Sequence, residues 1–369
     1  MNSNFNTWLV DFSSDANSTD LFRDRGDDHV PLLTLGMIGE MGDILTEIKK
    51  VKRDESSSSG LKERMEEEIG DFLWYYVRIV SVLDPKLIFE LPLEQKHTQI
   101  DRKGSMINDC ISLSIYVGKF ISSVLGSSEE GERNLNGELI DIWDKLNLIA
   151  AYNKISLMEV ARKNIDKRRD RWKPEEIQFS LFDEFSPSEE QLPRKMDLEF
   201  LEKTGNNGKP RVLLSSCGIH IGDSLTDNSS LQDDYRYHDI FHLGYMTYLG
   251  WSPVIRGILH CKRKSDPEID ENQDGARAAI TEEAISAMVF RRAQELEFLK
   301  DAKTIEYDLL KTIRMLVKGL EVEAVPLGQW ERSIIESYHI FRELKKNKGG
   351  KIHIDLIERK MIYKGPSQS

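Results

Sequence analysis

"GEMGDILTEIKK", residues 39–50, sets Glu40, Asp43 and Glu47 at spacings of three and four beside an apolar row. Leu33, Met37, Met41, Ile44, Ile48 and Val51 recur at the helical period, so the surrounding segment reads as a helix started near Pro31. A solvated helix sends its acids away from the core, and here they border it. A second segment, "LKERMEEEIGDFLWYYVRIVSVL" (61–83), resumes the period until Asp84-Pro85 ends it. Glu68, Asp71 and Tyr75 share one stripe there, which Ile79 and Val82 continue. The small residues of "DESSSSG" separate the two, so the pair is predicted to form an antiparallel helical hairpin.

Four carboxylates, Glu40, Asp43, Glu68 and Asp71, brought together where two helices meet repel one another and lose hydration unless cations neutralise them. Magnesium suits such an all-oxygen donor set, with manganese as an alternative, and can activate a water against a triphosphate. The bland alternative stays open. Glu66, Glu67 and Glu68 can simply be a charged first turn favoured by the helix dipole, with Glu40 and Glu47 supporting Lys50 through surface pairs. Phe72 and Trp74 read as core; Tyr75 alone shares the acidic stripe.

"LGMIGEMGDILTEIKK" (35–50) followed by "MEEEIGDFLWYYVRIV" (65–80) resembles the two motif helices of the MazG-like, all-α nucleoside triphosphate pyrophosphohydrolases. "ISLMEVARKNIDKRRDRW" (155–172) is similar to the family's closing helix, with Ser156 and Glu159 in capping-box spacing. The resemblance covers residues 30–82 and about 140–172. It implies Glu40, Asp43, Glu68 and Asp71 as catalytic magnesium ligands, and Lys50, Asn164, Lys167 and Arg171 as substrate contacts; Tyr75 joins the substrate-binding candidates by its place on the acidic stripe. It further implies metal-activated water attack at the α-phosphorus of a (deoxy)nucleoside triphosphate, release of monophosphate and pyrophosphate, and a homo-oligomer. Asp43 stands where the family usually has glutamate. An insertion of about 50 residues carries Glu138 and Asp141, which are read as structural.

The 369 residues, 39% of them hydrophobic, are enough for two or three domains with real cores. A net charge of -12 argues against broad affinity for nucleic acid or anionic membrane, since both need clustered positive charge. Neither a spanning apolar run nor a signal-peptide pattern is seen, so the expected location is the cytoplasm. Cys110, Cys217 and Cys261 make no CxxC pair and read as ordinary thiols.

After the motif helices the helical period returns in "INDCISLSIYVGKFISSVL" (107–125) and "GELIDIWDKLNLIAAY" (137–152), so residues 1–172 are predicted as one all-α domain, its polar first twenty residues leading into the motif helices. Pro, Ser and Glu then suggest an exposed linker over 173–194. A mostly helical accessory domain is expected over 195–369, with one β-like stretch at 210–228 and a terminal β pair. The fold class is therefore mainly α with a few short strands. In "DYRYHDIFHLGYMTYLGW" (234–251), His238 and His242 lie one helical turn apart with Asp239 between them. Such a pair can hold a metal if a further ligand arrives; Glu282, Glu283, Asp270, Glu271 and Asp274 are candidates, and plain core packing is the alternative. Arg256, Lys262, Arg263, Lys264 and Arg277 either hold a phosphate or form an ion-pair network.

Magnesium-dependent triphosphate pyrophosphohydrolysis, in nucleotide-pool cleaning or a defence or stress response, is the leading expectation. Its rivals are a nucleotide-sensing protein that binds without hydrolysis, and catalysis seated in the second domain.

Overall fold

A computed structural model describes residues 7–53, 60–92, 106–125, 134–172, 180–205 and 208–367. The expected connection over 54–59, the turn over 126–133 and the first part of the expected linker, 173–179, lie outside them. The chain divides into two compact units, Met1–Trp172 and Lys173–Ser369. The architecture is mainly α with one small antiparallel sheet.

Among the described residues of the first unit the regular elements are helices: α1 (Thr7–Ser18), α2 (His29–Arg53), α3 (Leu61–Leu83), α4 (Leu87–Glu90), α5 (Met106–Leu125), α6 (Leu135–Tyr152) and α7 (Leu157–Trp172). Pairing of residue 40 with 68 and 71, and of 47 with 64, runs α2 antiparallel to α3. Met65, Ile69, Phe72, Tyr76, Ile79 and Val80 put α3 at the centre of the core. It ends where Asp84 turns extended ahead of Pro85, whose ring disfavours helical backbone in the preceding residue. At the start of α7, Ser156 Oγ accepts from the Glu159 N–H at 3.4 Å, but the Glu159 carboxylate turns to Arg162, so the predicted capping box is only half formed. Glycine at 70 lets α7 cross α3 closely: a Cβ there would stand 3.2 Å from Val160 and 3.4 Å from Asn164.

Helix α1 was not expected from its polar composition. Leu9, Phe12 and Ala16 nevertheless form a buried stripe at spacings of three and four against the core, while the Ser, Asp and Asn residues that dominate the composition mostly face outward.

The second unit opens with β1 (Lys195–Thr204), β2 (Pro210–Ser216) and β3 (Ile219–Leu225), continues through α8 (Asp239–Gly244), α9 (Pro253–Ile258), α10 (Pro267–Asn272), α11 (Ala276–Glu295), α12 (Tyr307–Leu316) and α13 (Leu327–Asn347), and closes with β4 (Gly349–Asp355) and β5 (Lys360–Gly365). All pairings in the sheet, ordered β3-β2-β1-β4-β5, are antiparallel. The terminal pair is as expected, but the central strand β1 was not foreseen: "KMDLEFLEKT" carries the period-two alternation of a half-buried strand, but it is rich in charge and follows directly on the stretch read as linker.

Residues 181–194, expected as exposed linker, instead join the second unit. Leu192 is in its core, and the buried Asp183 carboxylate accepts from the Leu192 N–H and from Arg256. Composition suggested a linker because the packing depends on a few anchors among many polar residues. Helix α13 organises the unit, burying Trp330, Ile334, Tyr338, Phe341 and Leu344.

Phe12 is buried against the first unit's core. Phe12→Ala is expected to lower the unfolding free energy of that unit by about 3–5 kcal/mol, read by urea denaturation followed through tryptophan fluorescence.

Candidate functional site

Glu40 on α2 and Glu68 and Asp71 on α3 offer carboxylate oxygens that all lie within 4.8 Å of one another. Residues 68 and 71 share a face because three residues make nearly one helical turn, and the antiparallel crossing brings residue 40 opposite them. Burial, then the charges of Asp71 and Glu68, push the pKa of Glu40 up to about 8. Burial, then Glu67, Asp43 and Asp71, push that of Glu68 up to about 7.

Helix α7 supplies the counterweight. Buried Asn164 donates from Nδ2 to Asp71 Oδ1 at 2.7 Å, and Lys167 Nζ meets Asp71 Oδ2 at 2.5 Å and Glu67 Oε1 at 3.2 Å. The short Asp71 side chain is thus gripped on both oxygens. Glu63, Glu66, Glu67, Gly70, Val160, Lys163, Asn164 and Lys167 line a cavity of about 180 Å³ beside it.

Other expected members stand differently. Asp43 is exposed and outside the group of three, close enough for its charge to act on Glu68. Tyr75 is half-buried near Glu40, packed edge-on against Trp74. Arg171 lies one turn beyond Lys167, near enough for its charge to act on Arg168. Lys50 stands apart from the group: ten residues from Glu40, or about 15 Å along the helix, it binds Glu47 at 2.6 Å. Glu47 also takes Arg64 at 2.5 Å, and these two cations hold its carboxyl below the usual range against the opposing effect of burial. Glu47 therefore belongs to a structural ion-pair group, although it shares a stripe with Glu40. Glu138 accepts from Ser123 Oγ, consistent with a structural place.

Arg168 escaped the sequence reading. Its guanidinium lies 3.8 Å from the Trp74 ring centroid and donates from Nε to Asn164 Oδ1 at 3.1 Å, linking it through Asn164 to Asp71. Its position four residues after Asn164 on the same face was the available signal.

A second cluster lies in the other unit. Ligand atoms of His238, Asp239 and His242 on and beside α8 lie within 4.8 Å of one another, all three residues buried. His238 Nδ1 bonds the Tyr235 carbonyl at 2.8 Å, and the Tyr235 ring stacks on the imidazole. His242 Nδ1 meets Glu282 Oε1 at 2.8 Å, and Glu283 Oε2 stands 3.5 Å from Nε2. Burial opposes charge on His242, yet Glu282 and Glu283 outweigh it and push its pKa up to about 10.

Glu282 is fully engaged, also accepting from Ser252 Oγ at 2.6 Å and from the Val254 N–H at 2.9 Å. Asp274 is committed as well: it bonds Arg263, whose guanidinium also holds Glu321. With Arg256 on Asp183, this is a buried ion-pair network, so Arg256 and Arg263 are structural rather than phosphate-holding. His220 lies exposed on β3, paired in register with Ser215.

Residues 177–367 match the family described as the MazG C-terminal domain. The chain is also similar to the "Gene 37 protein" of Mycobacterium phage L5, 29% identical over 75 residues, which is 19% of this chain and 66% of that protein. It thus spans just under two thirds of that relative's length. No solved structure matches the chain. Among the described residues no helix is long and apolar enough to cross a membrane.

The raised carboxyls of Glu40 and Glu68 make the folded unit bind protons more tightly than the unfolded chain, whose glutamates titrate near 4.5. Their contribution to stability is full below about pH 4.5 and is lost as pH rises through 7 and 8. A divalent cation replaces those protons, so thermal denaturation is expected to show a larger stabilisation by added magnesium at pH 8.5 than at pH 6.

Proposed function

Because the chain belongs to the family of the MazG C-terminal domain, we propose that its first unit is a magnesium-dependent nucleoside triphosphate pyrophosphohydrolase. The observation that carries this reading is the convergence of Glu40, Glu68 and Asp71 beside a cavity lined by Lys163, Asn164 and Lys167. The resemblance of the motif helices to MazG-like enzymes supports it. Three hard oxygen donors, crowded by burial and faced by Lys167, fit magnesium, with manganese as a substitute. When bound, the ion supplies neutralising charge, polarises phosphate and acidifies a coordinated water.

The chain's own residues prepare the rest. Asn164 fixes the Asp71 carboxylate by its amide, so that the acid keeps its rotamer when the metal arrives. Lys167, a point charge on a flexible stem, can exchange its contact with Asp71 and Glu67 for a phosphate oxygen. Arg168, stacked on Trp74 and bonded to Asn164, keeps a further positive charge close to the acids. Attack on the α-phosphorus in this setting yields monophosphate and pyrophosphate. A homo-oligomer, and service in nucleotide-pool cleaning or defence, accompany the proposal.

Asp71→Asn is expected to reduce pyrophosphate release from a panel of ribo- and deoxyribonucleotides by on the order of 100-fold or more. Unchanged turnover in that variant would remove the assignment.

A second reading, nucleotide sensing without hydrolysis, is favoured by one feature: Asp43 is exposed and outside the group of three. Calorimetry showing tight nucleotide binding with magnesium, alongside no product from the same protein, would establish it. Ready pyrophosphate release would reject it.

A further inference from the structure

The second unit holds donors of another chemistry. Two imidazoles are locked in the same sense: His238 donates from Nδ1 to the Tyr235 carbonyl, and His242 donates from Nδ1 to Glu282. With Nδ1 committed, Nε2 is the nitrogen each ring has left to offer a metal; His242, held charged by Glu282 and Glu283, gives up its Nε2 proton on ligation. His242 Nε2 is fully buried, and its only nearby acceptor among the described contacts is the exposed Glu283, at a distance too long for a good hydrogen bond. Asp239 Oδ1 stands 3.8 Å from His238 Nε2, and Glu283 Oε2 stands 3.5 Å from His242 Nε2.

We infer that this is a second metal centre, which takes a borderline divalent transition metal of the zinc class through His238 Nε2, Asp239, His242 Nε2 and Glu283. Mixed imidazole and carboxylate donors select borderline cations, whereas the first unit's all-oxygen group suits magnesium. Glu282 is a positioning residue. Its two oxygens already accept from His242, Ser252 and Val254, and the arrangement carboxylate–imidazole–metal fixes the ring's orientation and tautomer.

Local backbone supports the arrangement. Immediately after α8 the helix widens into a π turn, Tyr245–Leu249. Gly244 lets α8 press onto α13, for a Cβ there would lie 1.9 Å from Ser337 Oγ. His238 and His242 are then held between α13 behind and the Glu282–Glu283 pair of α11 in front. His238, Asp239 and His242 are closed off, while the Glu283 side chain is 47% exposed, so the centre opens to solvent on that side.

The inference does not rest on the pyrophosphohydrolase reading, and its test silences the first unit's acids. The full chain carrying Glu68→Gln and Asp71→Asn is stripped with a chelator, loaded with Zn²⁺ alone, desalted and assayed for metal by mass spectrometry. One more zinc per chain is expected than in the same chain carrying His238→Ala and His242→Ala as well. Competition with a chromogenic chelator should show about 10-fold or greater weakening in Asp239→Asn and Glu283→Gln. Glu282→Gln should weaken binding by about 10- to 100-fold with stoichiometry kept, the mark of a residue acting through His242. Glu283 is exposed, so Glu283→Gln remains a fair test should the buried histidine variants fail to fold, as judged by circular dichroism. Equal zinc in the double-histidine chain, or unchanged affinity in Glu283→Gln, overturns the inference.

Discussion

Asp71 is the joint of the first unit. Its two oxygens are held by Asn164 and Lys167 of α7 while it faces Glu40 of α2, so three helices meet around one short carboxylate. Repulsion among Glu40, Glu68 and Asp71 would open this meeting point if α7 did not supply an amide and an ammonium. The close crossing at Gly70, one residue before Asp71, brings them within reach. Core packing and site geometry are therefore a single constraint: the helix that completes the core also completes the charge balance.

The two clusters show how the same residue types serve different ends. In the first unit Glu40 and Glu68 stay crowded and hold protons unusually tightly, the condition of a site that exchanges protons for a cation. Glu47, on the same stripe, is instead saturated by Lys50 and Arg64 and does structural work. In the second unit Asp183, Asp274, Arg256 and Arg263 are joined in close ion pairs, whereas the second nitrogen of His242 has only the exposed Glu283 at 3.5 Å.

Much of the architecture was legible. The 3.6-residue apolar period announced α2, α3, α5, α6 and α7, and Asp84-Pro85 marked the end of α3. Helix α1 was hidden because Leu9, Phe12 and Ala16 are few among polar neighbours, and periodicity had to be weighed against composition. Asp183 and Leu192 lay within apparent linker for a similar reason: two anchors suffice to fix a segment whose remaining residues stay polar. Strand β1 was obscured by its charged edge positions. For the site, Glu68 and Asp71 were readable as a pair from spacing, but Arg168 was not, since its importance arises from the ring of Trp74 and the amide of Asn164.

Residue spacing alone determined that Glu40 would lie at the border of an apolar face, that Glu68 and Asp71 would share a stripe, and that His238 and His242 would sit one turn apart. Helical geometry is local, so sequence suffices for it. Tertiary structure decided which acids converge, that Lys50 serves Glu47, that Asp43 stands outside, and that Glu282 orients an imidazole while Glu283 stands before its other nitrogen. Those outcomes depend on which helix faces touch. Contacts between residues 71 and 167, or 242 and 282, are made by packing across long stretches of chain, where no periodicity reaches.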